Sequence, residues 1–259
     1  PAQAGDAEVE EARIARIARG EEQVGRLDVA VDDAPRVRPA ERVGHGDAQP
    51  DGLVDAEATW PDHPELLFAR GELEWTLHGP EAAEPHYRRA VELAPEFADA
   101  RYALGEILGL LGEEQAMIAE NLEVRRLDIQ ADLGDGIGTR EDQRFIARVA
   151  EDVLAEIPEE FRQRLQNVPV VLEARPNEAL VREGFDPRAL GLFEGQGDLG
   201  QHSNATHDAP TRIVLFYANL LASFPDEDAL REEIEVTILH EIGHFFGLDE
   251  DDMERLGLE

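Results

Sequence analysis

The chain contains no cysteine, and because it also contains no lysine, all 24 of its basic residues are arginine. Without cysteine there is no disulfide and no thiolate ligand, so a bound metal must be held by histidine, carboxylate or water. Positive charge is scarce, since 58 aspartates and glutamates give a formal net charge of -34 at pH 7. Such a field repels nucleic acid and anionic membranes, and we expect neither as a partner.

Long hydrophobic runs are also absent. No stretch approaches the roughly 20 apolar residues that a membrane-spanning helix needs, and the first residues lack the apolar centre of a signal peptide. We therefore expect a cytoplasmic protein. A chain of 259 residues with 42% apolar residues is long enough to form one large domain or two small ones, each around its own core.

The N-terminal segment carries the weakest structural pattern. Residues 1–50 combine proline, glycine and charge without a sustained hydrophobic period, apart from one arginine-rich amphipathic stretch. This composition predicts an acidic segment that is poorly structured or disordered.

Residues 51–130 contain an internal repeat. At an offset of 34 residues, identical residues recur in pairs: Ala69 with Ala103, Gly71 with Gly105, Glu72 with Glu106, Leu77 with Leu111, and Ala82 with Ala116. This is the length of a tetratricopeptide repeat (TPR), whose two helices need small residues where they cross. The spacing of Gly71, Ala83, Tyr87, Ala90 and Pro95 resembles that repeat.

The second copy of the repeat is less complete. Asn121 and Ile129 occupy the positions where an aromatic residue and a proline would stand, which is consistent with a capping repeat. The alternative is an ordinary helical bundle with coincidental glycines. In either case this region is expected to be α-helical.

The C-terminal half predicts a mixed α and β domain. A glycine-rich linker at 131–141 precedes a domain at 142–259. Short β-branched or aromatic runs predict strands at 168–174 and 211–218, with another at the sequence LGLFEG between them. Two helical stripes of apolar residues flank the strands: Phe145, Val149, Val153 and Ile157, and then Leu230, Ile234, Ile238, Ile242 and Phe246.

The last helix carries the residues that indicate chemistry, in the sequence HEIGH at 240–244. His240 and His244 are four residues apart, so both rings lie on one helix face and can share one zinc ion. Glu241 is rotated by about 100°, which lets its carboxylate act as a general base without binding the ion. A zinc ion would activate a water and polarise a carbonyl, while Glu241 takes a proton and returns it to the leaving amine. This is the chemistry of peptide hydrolysis.

A catalytic zinc needs a third protein ligand. Gly247 permits a left-handed turn that ends the helix and returns the chain towards the metal. We predict Glu250 as the third ligand, with Asp249, Asp251, Asp252 and Glu254 as competing candidates. Asp251 or Asp252 is better suited to cap the final short helix.

Other polar residues give weaker indications. His202, His207 and Asp208 lie in a polar loop and are most simply solvent-exposed. Tyr217 either donates a hydrogen bond in the cleft or packs in the core, and strand alternation favours the core. The alternative for the HEIGH helix itself is an ordinary core helix. However, burying His240, Glu241 and His244 without a shared partner is costly, which favours a metal.

With these motifs in place, residues 142–259 resemble the small bacterial zincin-like metallopeptidases. The resemblance lies in IPEEFRQRLQNVPVVLEARP, LGLFEG, TRIVLFY and, above all, LREEIEVTILHEIGHFFGLDEDDMERLG. It implies a compact zincin core with a small mixed sheet and an active-site helix. Carried over, it makes His240, His244 and Glu250 the ligands of one zinc ion per chain, Glu241 the general base and Gly247 the turn glycine.

The resemblance also implies a substrate strand, because larger zincins pair a strand beside the cleft with an extended peptide. TRIVLFYANL is our candidate for that strand. The family's core lacks the second subdomain that usually closes the cleft, so a partner or the repeat region would supply that wall.

Two functions fit the whole sequence. The first is a zinc-dependent metallopeptidase that acts on a protein or peptide substrate, with the TPR-like repeats binding the substrate or a protein partner. The second is a non-catalytic interaction protein whose zincin core binds metal without turnover. An occluded site or a bonded Glu241 would favour the second function. The fold class expected for both is α+β, with helical repeats followed by the zincin-like domain.

Overall fold

The computed structural model describes residues 62–195 and 211–249, together with Asp252, Met253 and Arg255. The predicted N-terminal segment 1–50 and the loop that carries His202, His207 and Asp208 lie outside the described residues. Within the described part of the chain, no helix is both long and apolar enough to cross a membrane.

The described residues form two compact units. The helical unit comprises residues 62–137 and the segment Arg175–Ala189, and the sheet unit comprises Gly138–Ala174, 190–195 and the residues from 211 onward. In the sequence, Arg175–Ala189 lies inside the domain predicted at 142–259. The two units are therefore not consecutive along the chain.

The helical unit consists of two helix pairs and one short helix. Its elements are α1 (Pro64–His78), α2 (Pro80–Leu93), α3 (Ala98–Leu110) and α4 (Glu114–Asp135). The first residues of α3 and α4 lie 34 residues after those of α1 and α2, which matches the sequence offset. Helix α4 extends into the predicted linker, and four residues separate it from the next helix.

The two helix pairs cross at equivalent glycines. A Cβ built on Gly71 would meet the ring of Tyr87, with the ring Cδ1 at 2.6 Å, and a Cβ on Gly105 would meet Asn121 Oδ1 at 2.5 Å. Gly105 and Asn121 lie 34 residues after Gly71 and Tyr87. The predicted exchange of an aromatic residue for asparagine therefore falls at the same structural position of both pairs. The identity of these pairs as TPRs stays a prediction.

The segment Arg175–Ala189 is joined to α3 and α4 by buried charges. Arg175 Nε and an Nη donate to the two carboxylate oxygens of Asp132 at 2.6 and 2.7 Å. Asp128 accepts from Arg175 at 3.3 Å and from Arg188 at 2.9 and 3.0 Å. Arg188 also donates to Asp99 at 2.9 Å. Breaking a buried pair such as Arg175–Asp128 costs about 3–5 kcal/mol, so these ion pairs tie the segment, with its short helix α7 (Glu178–Arg182), to the helical unit.

The sheet unit packs helices on a three-stranded sheet. Helices α5 (Arg140–Glu156) and α6 (Glu159–Arg164) precede β1 (Val170–Glu173), and β2 (Gly191–Glu194) and β3 (Arg212–Phe216) lead to α8 (Tyr217–Ser223) and α9 (Glu227–Phe246). The strand order is β1-β3-β2, with β1 parallel and β2 antiparallel to β3. The predicted α+β class and small mixed sheet are confirmed.

The position of β3 corrects one expectation. We predicted that TRIVLFYANL would pair with an extended substrate, but β3 lies between β1 and β2 and uses both of its edges within the sheet. Four of its five residues are buried, because a central strand is covered on both faces. Strand β2 lies at one end of the described strand order and packs against α9.

Candidate metal centre

Helix α9 positions the HEIGH residues. Asp226 caps its start by accepting hydrogen bonds from the amides of Asp228 and Ala229, at 3.2 and 3.0 Å. The predicted apolar stripe is buried throughout: Leu230, Ile234, Ile238, Ile242 and Phe246 are each at most 5% exposed. Because this stripe fixes the rotation of the helix, His240 and His244 emerge together on a neighbouring face.

The two histidine side chains converge. His240 Nε2 and His244 Nε2 are 3.0 Å apart, and the rings meet edge to face with their centroids at 4.6 Å. Two nitrogens bound to one tetrahedral zinc at about 2.0–2.1 Å would be about 3.3 Å apart. The pair therefore already has nearly the separation that a shared ion requires, and both side chains are only half-buried.

The end of α9 sets the orientation of the His244 ring. Gly247 adopts a φ of +84°, as predicted for the turn glycine, and the Leu248 amide donates to Gly243 O at 3.0 Å. This turn brings Leu248 O to 3.3 Å from His244 Nδ1. With the proton on Nδ1, the lone pair of Nε2 faces His240. A backbone carbonyl on the second ring nitrogen is the usual way in which metal-ligating histidines are oriented.

The third ligand stays a prediction. Glu250, Asp251 and Glu254 lie outside the described residues. Asp249 and Asp252 cap the last turn reciprocally, because each carboxylate accepts from the other's amide, at 3.0 and 3.2 Å. The cap is thus Asp249, with Asp252 as its partner. Among the described residues, no group of three histidines and carboxylates is placed to hold a metal.

Glu241 lies beside β2, at a contact that the sequence did not indicate. Glu241 is only 6% exposed. A Cβ built on Gly191, the first residue of β2, would stand 2.8 Å from Glu241 Oε1 and 2.6 Å from Thr237 Cγ2. Only glycine leaves room for the carboxylate at this point. The sole sequence signal was a glycine inside a predicted strand, which often marks such a close approach.

Tyr217 takes the structural role that strand alternation favoured. It begins α8 rather than continuing β3, and its half-buried ring packs against the core of the sheet unit. A Cβ built on Gly138 would meet this ring. The ring is therefore part of the packing around the start of α5.

The donor set of α9 fits a zinc ion. Two imidazole nitrogens face each other at nearly the tetrahedral separation, and one ring is oriented by a carbonyl. Imidazole and carboxylate suit zinc, and the sequence after Gly247 is rich in carboxylates. The chemistry of the residues is thus compatible with the predicted ion.

One comparison with known proteins matches the segment that carries α9. The model of a family described as zincin-like metallopeptidase matches residues 165–258, a segment that contains all three strands and α9. No curated protein matches the chain. The C-terminal segment is therefore similar to zincin-like metallopeptidases, as the motif predicted, whereas helices α1 to α6 lie outside the match.

Proposed function

We propose that the chain is a zinc-dependent metallopeptidase whose site is formed by His240, His244 and Glu241. The observation that carries the proposal is the 3.0 Å approach of the two Nε2 atoms, one residue away from a buried glutamate on the same helix. Zinc would act as a Lewis acid towards a water and the scissile carbonyl. Glu250 is proposed as the third ligand.

Glu241 is proposed as the group that moves the proton. Its carboxylate removes a proton from the attacking water and delivers it to the leaving nitrogen of the peptide. The close packing of Gly191 and Thr237 limits the positions open to Glu241, so little reorientation is needed during the reaction. His240 and His244 hold the ion, and Leu248 O keeps the ring of His244 in the ligating tautomer.

Strand β2 is the proposed place of the substrate. It lies at the end of the described strand order, and its first residue touches the general base. An extended peptide laid along β2 by strand addition would bring one of its carbonyls next to Glu241. Protein or peptide chains are therefore the expected substrates, and the helical unit is proposed to bind the substrate or a protein partner.

A second candidate function is supported by the burial of Glu241. A general base that is 6% exposed reaches solvent less easily than one that opens into a cleft. The chain would then be an interaction protein in which the metal stabilises the fold without turnover. Metal binding is common to both candidates, and cleavage separates them.

The test measures zinc content and peptide cleavage on the full chain. We expect about one zinc per wild-type chain, the same content in Glu241→Gln, and less in His244→Ala. Cleavage of casein or a peptide library is expected in the wild type alone. His78→Ala is the matched control, since His78 is exposed and bonds to Glu74 in the helical unit. Zinc without cleavage would favour the interaction protein, and no zinc under zinc-replete conditions would refute the metallopeptidase.

A further inference from the structure

Met253 lies directly against the backbone of the HEIGH helix. Its side chain is fully buried, in the core of the sheet unit. A Cβ built on Gly243 would meet the Met253 methyl group and would stand 2.6 Å from its Sδ and 3.5 Å from Leu248 Cδ1. Carbon and sulfur atoms in contact stay well beyond 3 Å, so the methionine occupies the space that only a glycine at 243 leaves.

Two backbone hydrogen bonds link this contact to the candidate ligand His244. The Met253 amide donates to Asp249 O at 3.0 Å, and the Leu248 amide donates to Gly243 O at 3.0 Å. Leu248 and Asp249, which make these two bonds, belong to the turn that places Leu248 O 3.3 Å from His244 Nδ1. The contact of Met253 with Gly243 therefore supports the turn on both sides, at Leu248 and at Asp249, and this turn orients the His244 ring.

We propose that Met253 is a positioning residue for the metal centre, which it supports by holding the Gly247–Asp249 turn against Gly243. This inference rests on the metal-binding part of the proposed function and not on catalysis. Its consequence is that glycine at 243 is required for ligand geometry. Helix propensity alone would instead predict that Gly243→Ala stabilises the helix, because alanine is the stronger helix former.

The first test compares zinc affinities of folded full-length variants by competition with a chromophoric chelator. Gly243→Ala and Met253→Ala are each expected to weaken zinc binding about 10-fold or more, the range for lost groups that orient a ligand. Met253→Leu keeps the apolar volume and should stay within about 3-fold of the wild type. In the double variant, alanine at 243 enters the space left by Met253, so the loss should be smaller than the product of the single losses.

Two control variants separate positioning from general stability. Gly134→Ala adds a Cβ to a helical glycine that has nothing within 4 Å, and Ile146→Ala opens the same core from α5. Both should bind zinc within about 2-fold of the wild type, although Ile146→Ala lowers the melting temperature. Wild-type affinity in Gly243→Ala, or an equal loss in Ile146→Ala, would overturn the inference.

Hydrogen exchange of the zinc-free chain provides a readout that needs no metal. The amides of peptide 247–255 should exchange faster in Gly243→Ala and Met253→Ala, while peptide 227–239 at the start of α9 stays unchanged. If the wild type binds zinc without cleaving peptides, the hydrolase proposal fails, and the zinc affinities of the variants still test the role of Met253. If the wild type binds no zinc, the exchange rates decide it, and unchanged exchange at 247–255 would overturn it.

Discussion

Single residues without side chains shape the candidate site more than the sequence suggests. His240, Glu241 and His244 are recognisable from their spacing because a helix repeats every 3.6 residues. Gly191 belongs to a strand about fifty residues earlier, and its contact with Glu241 arises only when β2 packs against α9. Local periodicity carries no information about such a tertiary approach. The candidate ligands were therefore recognisable from the sequence, whereas the residue that confines the Glu241 carboxylate was not.

We predict that Gly191→Ala reduces peptide cleavage by about 10- to 100-fold while zinc content stays at the wild-type level. The new methyl group would overlap Glu241 Oε1 and Thr237 Cγ2, and displacement of a catalytic group by about 1 Å costs rates of this order. Cleavage rates and zinc content are measured on the same preparations, with Gly134→Ala as the control. Unchanged cleavage in folded Gly191→Ala would contradict the contact.

A second prediction at the residue scale concerns Glu106 in the helical unit. Burial raises the pKa of Glu106 above its usual 4.5, and the nearby Asp186 raises it further. Burial likewise raises the pKa of Asp186, although Tyr102 and Arg188 oppose this. A raised carboxyl pKa means that the folded chain binds the proton more tightly than the unfolded chain, so stability is lost as pH rises above about 4.5.

Glu106→Gln should therefore raise the melting temperature at pH 7, and the gain should vanish below about pH 4.5. Each kcal/mol of repulsion removed corresponds to about 2–4 °C for a chain of this size. Thermal unfolding at several pH values measures the gain. Glu151→Gln, on the exposed surface of α5, controls for the loss of one negative charge. An equal gain at pH 4 and pH 7 would rule out the titration of Glu106 as its cause.

At the scale of elements, the two helix pairs differ in how rigid their crossing is. In the first pair the ring of Tyr87, which is 0% exposed, lies on Gly71 and donates to Glu72. In the second pair Asn121 lies on Gly105, and its buried Oδ1 has no hydrogen-bond partner among the described residues. An amide can rotate away from a new methyl group more easily than a buried ring can move.

Gly71→Ala should accordingly destabilise the chain more than Gly105→Ala does. Overpacking in a buried contact costs about 1–3 kcal/mol, and we expect Gly71→Ala at the upper end and Gly105→Ala near the lower. Urea unfolding of both variants gives the two free energies of unfolding. Each variant is the control for the other, because both replace glycine with alanine at equivalent positions of a helix crossing. A larger loss in Gly105→Ala would show that the second crossing is the tighter one.

The elements were largely predictable, but their grouping was not. Short β-branched or aromatic runs predicted strands at 168–174 and 211–218, and the structure forms them at Val170–Glu173 and Arg212–Phe216. The buried stripe on α9 followed from the helical period. The order β1-β3-β2 and the assignment of Arg175–Ala189 to the helical unit depend on long-range partners. From the sequence alone Arg175 and Arg188 are indistinguishable from surface arginines, because their carboxylate partners lie more than forty residues earlier.

At the scale of the whole molecule, negative charge opposes compactness. A formal charge of -34 on 259 residues repels itself, and the scarcity of basic residues limits how much of it ion pairs can neutralise. The buried pairs of Arg175 with Asp128 and Asp132 are poorly reached by salt. Salt should therefore weaken the surface repulsion much more than it weakens these internal attractions.

We predict that raising NaCl from about 0.1 M to 1 M increases the melting temperature of the zinc-free chain by at least ~3 °C, because the screening length falls from about 10 Å to about 3 Å. Thermal unfolding is measured in the presence of a chelator, so that contaminating metal is not the cause. Choline chloride at the same ionic strength is the control for specific binding of Na⁺. An increase in both salts supports screening of the acidic surface. A melting temperature that falls with salt would instead mean that attractive ion pairs dominate the electrostatic free energy of the fold.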